Sequence, residues 1–345
     1  MAYTTINKGS SYFNTITYTG TGATASITGV GFKPDFVWIK NRTTAYGHQL
    51  YDINRGVTKR LFTNNDIAEE TDAQALTAFN TDGFSLGTNV GVNESGSGQV
   101  SWNWLGANTT VSNTSGTITS TVSANTTAGF SVVSYTGNGI AGATVGHGLG
   151  VVPKMIIRKI RSGVDAWPVY HVSIGNTGVV FLNNTNATST GAGYNNNTSP
   201  TSTVFSNGTD GQVNTSASTY IAYCFAEVKG YSKFGSYAGN NDLTDGTFVY
   251  TGFSPSFVLV KRYGGGTQNW VIYDDKRNTY NVTNSTLRPN TTAAEATNNA
   301  VDLLSNGFKF RSNDGDSNGY SDGYIYMAFA ENPFVTSGGI PVTAR

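Results

Sequence analysis

The chain is short of charge. Only 12% of its 345 residues are Asp, Glu, Lys or Arg, and 21 basic side chains balance 21 acidic ones. A protein without a basic excess has no electric field that would draw it to nucleic acid or to an anionic membrane. We therefore expect neither nucleic acid nor a membrane among its partners.

Cysteine and long apolar runs are scarce too. The single cysteine, Cys224, excludes a disulfide within the chain, and its alternating apolar neighbours favour a buried, inert thiol over a reactive one. No stretch holds the roughly 18 apolar residues of a membrane-spanning helix, and the N-terminal residues lack the basic and apolar parts of a signal peptide. The sequence predicts a soluble protein made in the cytoplasm.

A strand-forming phrase, by contrast, occurs three times. Each copy begins with glycine, has a proline before a β-branched or aromatic run, and closes on a lysine; the copies are residues 31–40, 150–159 and 252–261. Since a strand tolerates proline at its first residue, each copy predicts the same strand of a repeated unit.

A second marker keeps the same spacing. Pro34 and Pro153 are 119 residues apart, and so are Tyr51 and Tyr170, which follow the phrase. A repeat of this length is the size of a whole domain and far longer than a solenoid or propeller unit.

Alternating stretches close each unit. Residues 100–104, 221–225 and 325–329 alternate large apolar side chains with small or polar ones, which is typical of a strand with one face on a core. Asn-Gly and Asp-Gly pairs between the apolar runs predict hairpin turns. The sequence therefore predicts an all-β fold of three tandem antiparallel β-sandwich repeats, jelly-roll or lectin-like in kind, each with a core of its own.

The repeats also set the predicted domain boundaries. The first repeat, with an N-terminal arm, takes residues 1–106, the second 117–229 and the third 230–334, and a C-terminal arm takes 335–345. The polar join 107–116 is typical of a flexible linker. The second join is so short that the second and third repeats should form a rigid pair.

Four stretches of the chain resemble repeat domains of virion proteins from tailed phages, especially phages of marine bacteria: residues 1–8, 31–42, 51–57 and 82–84. The resemblance covers nearly the whole chain. It implies a lectin-like β-sandwich repeat on a phage particle, in a tail fibre or other surface appendage that is assembled in the cytoplasm of the host bacterium. It brings no catalytic residue with it. The second repeat departs most, with Val-Tyr-His at 169–171 where the first has Leu-Tyr-Asp at 50–52.

Candidate catalytic residues are few. The three histidines fall at different places in their repeats and are His48, His147 and His171. Glu69, Glu70 and Asp72 could supply a glycosidase pair, which needs two carboxylates roughly 5 to 9 Å apart. Adjacent acids on a polar segment are more often solvated, however, and the third repeat offers only Glu295 there. We expect a protein that is not an enzyme.

One motif resembles half of a calcium loop. Oxygen-bearing side chains alternate along it, and the candidate ligands are Asp314, Asp316, Asn318 and Asp322. The twelfth position holds Ile325 instead of the bidentate Glu, which excludes a true EF-hand. An irregular calcium site and a plain polar hairpin turn both remain open, and no other cofactor is expected.

Composition completes the functional prediction. Sugars suit a surface rich in Asn, Thr and aromatic rings, because rings stack on C–H patches while amides and hydroxyls bond the sugar hydroxyls. The candidate stacking residues, each of which also fits a core position, are Trp38, Trp104, Trp167 and Trp270.

Two functions are compatible with these observations. We expect a non-enzymatic virion protein, a tail fibre or surface appendage that presents loops to a host-surface glycan. The alternative is a capsid or tail decoration protein that only makes virion contacts. Either would have other virion proteins as partners, and near-zero net charge together with the abundant strands favours a homo-oligomer with the terminal arms in its contacts.

Overall fold

The structure, a computed structural model, describes residues 4–332. It is all-β, with 43% strand and 5% helix, as the sequence predicts, and its antiparallel sheets are consistent with the β-sandwich class. No helix among the described residues has the length and apolar character that crossing a bilayer would need. The predicted arm at 335–345 lies outside the described residues.

The first segment of the chain, up to residue 106, contains a 3-10 helix, nine strands and one short α-helix. They are the 3-10 helix Gly9–Ser11, β1 Phe13–Thr19, β2 Ala25–Ile27, β3 Phe36–Asn41, β4 Gln49–Asp52, β5 Lys59–Phe62, β6 Glu70–Thr71, β7 Leu76–Asn80, β8 Gly83–Leu86, α1 Val90–Asn93 and β9 Gly98–Trp104.

The second segment, residues 107–229, contains ten strands and two short α-helices. They are β10 Val111–Asn113, β11 Ser120–Asn125, β12 Phe130–Thr136, β13 Ala143–Gly146, β14 Met155–Ile160, β15 Pro168–His171, β16 Gly178–Phe181, β17 Ser189–Thr190, α2 Ala192–Asn195, β18 Val204–Asn207, α3 Gly211–Asn214 and β19 Thr219–Phe225.

The third segment, residues 230–332, contains eight strands. They are β20 Ser232–Ala238, β21 Phe248–Tyr250, β22 Ser254–Arg262, β23 Trp270–Asp274, β24 Thr283–Thr286, β25 Ala296–Leu304, β26 Gly307–Phe310 and β27 Gly323–Asn332.

Each segment has a main sheet with the same central strand order. The orders are β1-β9-β3-β4, β12-β19-β14-β15 and β20-β27-β22-β23, and all neighbours are antiparallel. The three phrases that carry proline form β3, β14 and β22, each between the closing strand and the strand that bears the Tyr marker. A smaller sheet accompanies each main sheet: β2-β8-β7, β13-β18 and β21-β26-β25-β24.

The three main sheets share one core. A single cluster of buried residues includes side chains of all three segments. At its centre Trp104, Phe225 and Phe329, from β9, β19 and β27, form a triangle with ring centroids 6.1, 5.7 and 6.2 Å apart. The expectation that each unit has a core of its own is therefore wrong for these inner faces, because the sheets bury them against one another.

The join 107–116 is not a flexible linker. Asp35 accepts hydrogen bonds from the backbone N–H groups of Gly106 and Asn108, both at 2.9 Å, and from the Ser123 hydroxyl at 2.6 Å. Strand β10, within the join, pairs with β11. Burial raises the pKa of Asp35. A buried carboxyl group thus fixes the start of the join against both segments.

Three equivalent backbone hydrogen bonds, one for each pair of segments, connect the segments in a closed ring. The donor and acceptor pairs are Glu69 N and Arg161 O at 2.9 Å, Thr188 N and Tyr263 O at 3.1 Å, and Glu295 N and Arg42 O at 2.8 Å. All three segments, and not only the second and third, are therefore joined. We refer to these contacts as the 1/2, 2/3 and 3/1 corners.

Buried ion pairs hold the 1/2 corner. Asp52 accepts from the Arg55 guanidinium at 2.5 Å and from the Tyr223 hydroxyl at 2.8 Å. Glu69 lies 2.9 Å from Arg161 of the second segment and 3.4 Å from Arg55. Asp52 and Arg55 have fully buried side chains. Removal of either side chain would therefore leave the charge of the other buried without a partner.

The 3/1 corner repeats this arrangement. Asp274 accepts from Arg277 at 2.6 Å and from the Trp102 indole N–H at 3.0 Å. Glu295 lies 2.7 Å from Arg42 of the first segment and 3.0 Å from Arg277.

The 2/3 corner has uncharged groups at the equivalent positions. His171 stands in the place of Asp, and its Nε2 donates to the Tyr326 carbonyl at 3.2 Å. Thr188 stands in the place of Glu and donates to the Tyr263 carbonyl at 2.9 Å. Ile174 stands in the place of Arg. The departure of the second segment at Val-Tyr-His thus replaces an ionic corner with a neutral one.

The lysine that ends each triplicated phrase also crosses a corner. Its Nζ donates to a carbonyl of a neighbouring segment, and the pairs are Lys40 with Thr292 at 3.1 Å, Lys159 with Asp66 at 3.2 Å and Lys261 with Thr185 at 3.0 Å. Burial lowers the pKa of Lys40 and Lys159 to about 8 and that of Lys261 to about 7.

We predict that Arg55→Leu destabilises the protein by about 3–5 kcal/mol, because it leaves Asp52 and Glu69 without their buried partner. Ile174→Leu, at the same position of the neutral corner, should cost less than about 1.5 kcal/mol. Urea denaturation of the two variants measures both losses. Equal losses would contradict a structural role for the ionic corner.

We also predict that the free energy of unfolding rises between about pH 7 and 8.5. A lysine in the unfolded chain keeps its proton to about pH 10.4, whereas the three corner lysines lose theirs earlier in the folded chain. The unfolded state then binds more protons, so raising the pH favours the folded state. Urea midpoints at the two pH values test this. Lys261→Met should flatten the rise and the exposed Lys8→Met should not; a wild-type stability that falls across this range would contradict the prediction.

Candidate functional site

The predicted calcium motif is built like two capped turns elsewhere in the chain. The Asp314 carboxylate accepts from the Asp316 backbone N–H at 2.8 Å. Asn89 and Asp210 accept in the same way, each at 2.9 Å, and cap the helices α1 and α3. Capping therefore gives one structural reason for an acidic residue at position 314.

The other candidate ligands have protein partners. Asp316 accepts from Arg288 at 2.7 Å, and Asp322 takes two bonds from Arg262 at 2.8 and 2.5 Å. The Asn318 side chain donates to the Asn240 side chain, at 2.9 Å, and to backbone carbonyls. Within residues 4–332 there is no cluster of three or more His, Cys, Asp or Glu side chains that could hold a metal ion. Calcium binding stays a prediction.

The carboxylates considered as a glycosidase pair are each bound to arginine. Glu69 belongs to the 1/2 corner, and Glu70 and Asp72 lie 2.8 and 2.6 Å from Arg60. The three histidines are buried in separate places, and burial lowers the pKa of each: His48, His147 and His171. Cys224 is buried as well, and burial raises the pKa of its thiol to about 12.

None of the tryptophans proposed as sugar platforms is accessible. Trp38, Trp104, Trp167 and Trp270 are at most 1% exposed. Trp167 and Trp270 donate their indole N–H groups to carbonyls of a neighbouring segment. The interpretation of these residues as stacking platforms is wrong, because the shared core and the corners use them.

The exposed aromatic residues of the described chain lie instead in the third segment. Tyr280 is 86% exposed and Tyr250 63%, and Phe248 and Tyr320 are also well exposed. Tyr280 lies in the loop between β23 and β24.

That loop is longer than its counterparts. In each segment a pair of facing residues flanks this loop. The pairs are Leu50 with Leu61, Val169 with Val180 and Ile272 with Leu287, and their members are 11, 11 and 15 residues apart in sequence. Four extra residues thus occur in the third segment, where β23 and β24 belong to different sheets and Ile272 with Leu287 forms an isolated antiparallel bridge. Loop residues beyond those needed to connect two strands often carry a binding function.

The long loop forms one wall of a cleft of about 270 Å³, which we call the Asp275 cleft. Apart from Asp275 and Glu331, its polar and aromatic lining is Ser254, Asn278, Thr279, Tyr280, Asn281 and Thr283. Hydroxyls, amides and one exposed ring are the groups that bind sugars.

Hydrogen bonds fix the loop at both ends. The side-chain Oδ1 of Asn278 accepts from the backbone N–H groups of Asn284 and Ser285 at 3.2 and 2.7 Å. The Asn281 amide exchanges two bonds with the backbone of Leu303, both at 2.9 Å. The cleft is therefore formed before any ligand binds, as small-molecule sites usually are.

Asp275 is one of the residues that line the cleft. Its Oδ2 accepts from Lys276 at 3.0 Å, whereas its Oδ1 is buried without a hydrogen-bond partner among the described residues. Burial raises the pKa of Asp275 to about 6, and the charge of Glu331 adds to this effect while Lys276 opposes it. Oδ1 is thus an unpaired acceptor among the described residues, and it is enclosed by the protein.

Sequence reasoning missed Tyr280 and Asp275. The signal was present in the distance from Tyr273 to Leu287, which exceeds the distance from Tyr51 to Leu61 by four residues. Asp275 also has apolar counterparts, Ile53 in the first segment and Val172 in the second.

A family model described as a domain of unknown function, DUF7483, matches residues 8–333. No curated protein matches the chain, and neither does any solved structure.

We predict that Asp314→Ala lowers the free energy of unfolding by about 1 kcal/mol in the presence of EDTA, because the bond by which Asp314 caps its turn needs no metal. Asn89→Ala, which removes the corresponding cap in the first segment, should cost about as much. Thermal denaturation with EDTA and with calcium measures both. A wild-type Tm that rises with calcium, and an Asp314→Ala Tm that does not, would support the calcium site instead.

Proposed function

Because this chain belongs to the DUF7483 family of domains of unknown function, we propose its role from its own residues. It is a non-enzymatic structural protein of a phage virion, a tail fibre or other surface appendage, and it attaches to a host-surface glycan through the Asp275 cleft. The observation that carries the glycan part is the cleft itself, which is lined by an exposed ring and by hydroxyl groups on a loop four residues longer than its counterparts.

The virion assignment has a different support. It rests on the resemblance of residues 1–8, 31–42, 51–57 and 82–84 to repeat domains of phage virion proteins. It implies assembly in the cytoplasm of the host bacterium and other virion proteins as partners.

The repeat organisation is part of the same proposal. The three segments are tandem β-sandwich repeats that pack around a common core. Their equal strand order, the triangle of Trp104, Phe225 and Phe329, and the three corners support this. One chain then supplies the contacts that three subunits of a trimer would make.

A capsid or tail decoration protein is the second candidate, and one observation favours it. Phe248 and Tyr250 project from β21, which among the described strands pairs with β26 alone and so has a free edge there. The corresponding strands β2 and β13 have no aromatic residue. Aromatic rings beside an unpaired strand suit contact with a neighbouring protein.

We predict that Tyr280→Ala weakens binding of the purified protein to host cells and to immobilised host glycans, because the cleft loses its stacking ring. A stacked base or sugar ring on an aromatic side chain contributes on the order of 1–3 kcal/mol, so the loss should be at least about fivefold. Tyr250→Ala, another exposed ring outside the cleft, is the matched control and should bind normally.

The same pair of variants separates the two functions. If the decoration role is correct, virions that carry Tyr250→Ala should contain fewer copies of the protein. If the attachment role is correct, virions that carry Tyr280→Ala should keep their copies of the protein and lose only adsorption to host cells. In both cases the protein should release no reducing ends from the glycan. Turnover of the glycan would contradict the non-enzymatic role.

A further inference from the structure

The free edge of β21 is equivalent to an edge that is covered in the second segment. The strands β2, β13 and β21 occupy the same place in the three smaller sheets. Each places one buried aliphatic residue opposite a phenylalanine of the adjacent strand, and the pairs are Ile27 with Phe84, Val145 with Phe205 and Val249 with Phe308. The covered edge of β13 therefore shows what kind of chain such an edge accepts.

Residues 116–118 cover the edge of β13. Ile118 forms a parallel bridge with Val145, and its N–H donates to the Thr144 carbonyl at 2.9 Å. The Thr144 N–H donates to the Thr117 hydroxyl at 2.8 Å. Gly116 approaches so closely that a Cβ there would overlap the Thr144 carbonyl oxygen. The cover is thus an extended, uncharged segment with a glycine two residues before a buried β-branched residue.

β21 presents the same backbone groups without such a cover. The Thr247 carbonyl and the Thr251 N–H bond to the adjoining hairpin arm at 3.2 and 3.0 Å. Since residues of an antiparallel pair face their partner alternately, the N–H and C=O groups of Phe248 and Tyr250 point away from β26. Within residues 4–332 no hydrogen bond beyond that edge involves them. Both residues are therefore able to bond to a further strand.

The side chains at this edge also favour a cover. Phe248 and Tyr250 are 43% and 63% exposed, and β13 has no aromatic residue at the same place. Val249, which lies between them, keeps 6% of its surface exposed, whereas its counterpart Val145 is fully buried beside Ile118. A strand added to β21 would complete the burial of Val249 and contact the two rings, which are exposed apolar surface beside an unpaired edge.

We propose that β21 binds an extended, uncharged segment of a neighbouring virion protein as an added parallel strand. The segment carries a β-branched apolar residue opposite Val249 and a glycine two residues before it, beside the Phe248 carbonyl. Backbone hydrogen bonds supply the affinity, and these two residues set the register. Residues 116–118 of this chain are already bound to β13, so a second copy does not offer them. This inference rests on the decoration role and names the chemistry of the partner.

A fluorescein-labelled peptide with the sequence of residues 113–121 tests the proposal by fluorescence anisotropy with the intact protein. We expect saturable binding. Gly116→Val or Ile118→Asp in the peptide should weaken it about tenfold, because only glycine fits the close approach and a buried carboxylate would lack a partner. The absence of saturable binding, or equal binding of the three peptides, would overturn the proposal.

Phe248→Pro locates the site on the protein. It removes an N–H that faces the free edge and keeps the bonds to β26, so it should weaken peptide binding about tenfold with little change in Tm. Ser26→Pro makes the equivalent change at the β2 edge and should leave peptide binding at the wild-type level. Tyr250→Ala, which leaves the backbone unaltered, should weaken peptide binding about fivefold. Peptide binding that persists in both Phe248→Pro and Tyr250→Ala would refute the assignment to β21.

The inference and the decoration role fail in different ways. If no peptide binds while virions that carry Tyr250→Ala still contain fewer copies of the protein, the chemistry of the partner is wrong and the decoration role stands. If virions that carry Phe248→Pro or Tyr250→Ala keep the full number of copies, both are wrong. Self-association of the purified protein that Phe248→Pro abolishes would overturn the assignment to a different protein.

Discussion

The mutual burial of three sheets is the constraint on which the rest of this structure depends. β9, β19 and β27 each place one large aromatic ring at the centre, and the three rings are in contact. Rings of this size bury much apolar surface and prefer tilted or edge-on contacts, which three sheets meeting around one line can provide. Each sheet therefore requires the other two, and the segments cannot be understood one at a time.

The corners show how this arrangement tolerates change. At the 1/2 and 3/1 corners a buried aspartate is paired with an arginine and accepts from an aromatic side chain of the adjoining segment. At the 2/3 corner Met327 stands where the others have Tyr223 and Trp102, and it has no proton to donate. An aspartate there would be buried without a donor, and a neutral histidine that donates to a carbonyl avoids that cost. The exchange at His171 is thus explained by the residue that faces it across the corner.

Local signals in the sequence located the strands but not their neighbours. The proline of each phrase and the alternation of each closing stretch marked β3, β9 and their counterparts, because both are properties of a single strand. The common core was missed, although β3 and β14 are buried along their whole length and their continuous apolar runs are typical of strands covered on both faces. Which surface covers the second face is a long-range property that spacing does not contain. The site was missed for a related reason. The loop that holds Tyr280 is recognised as unusual only when its length is compared with the lengths of the two equivalent loops.

The long loop bears on how strongly the attachment proposed above would hold a surface. In an assembly of three identical chains, a loop of this kind would occur three times around the axis and engage three ligands together. Here the four extra residues occur once, so each chain is monovalent at the Asp275 cleft even though its scaffold is threefold in outline. A weak single contact becomes a firm attachment only when several copies act at once, since each further contact then forms at a high effective concentration. Avidity would therefore be set by the number of copies on a particle and by their spacing, and it could change without any alteration in the cleft.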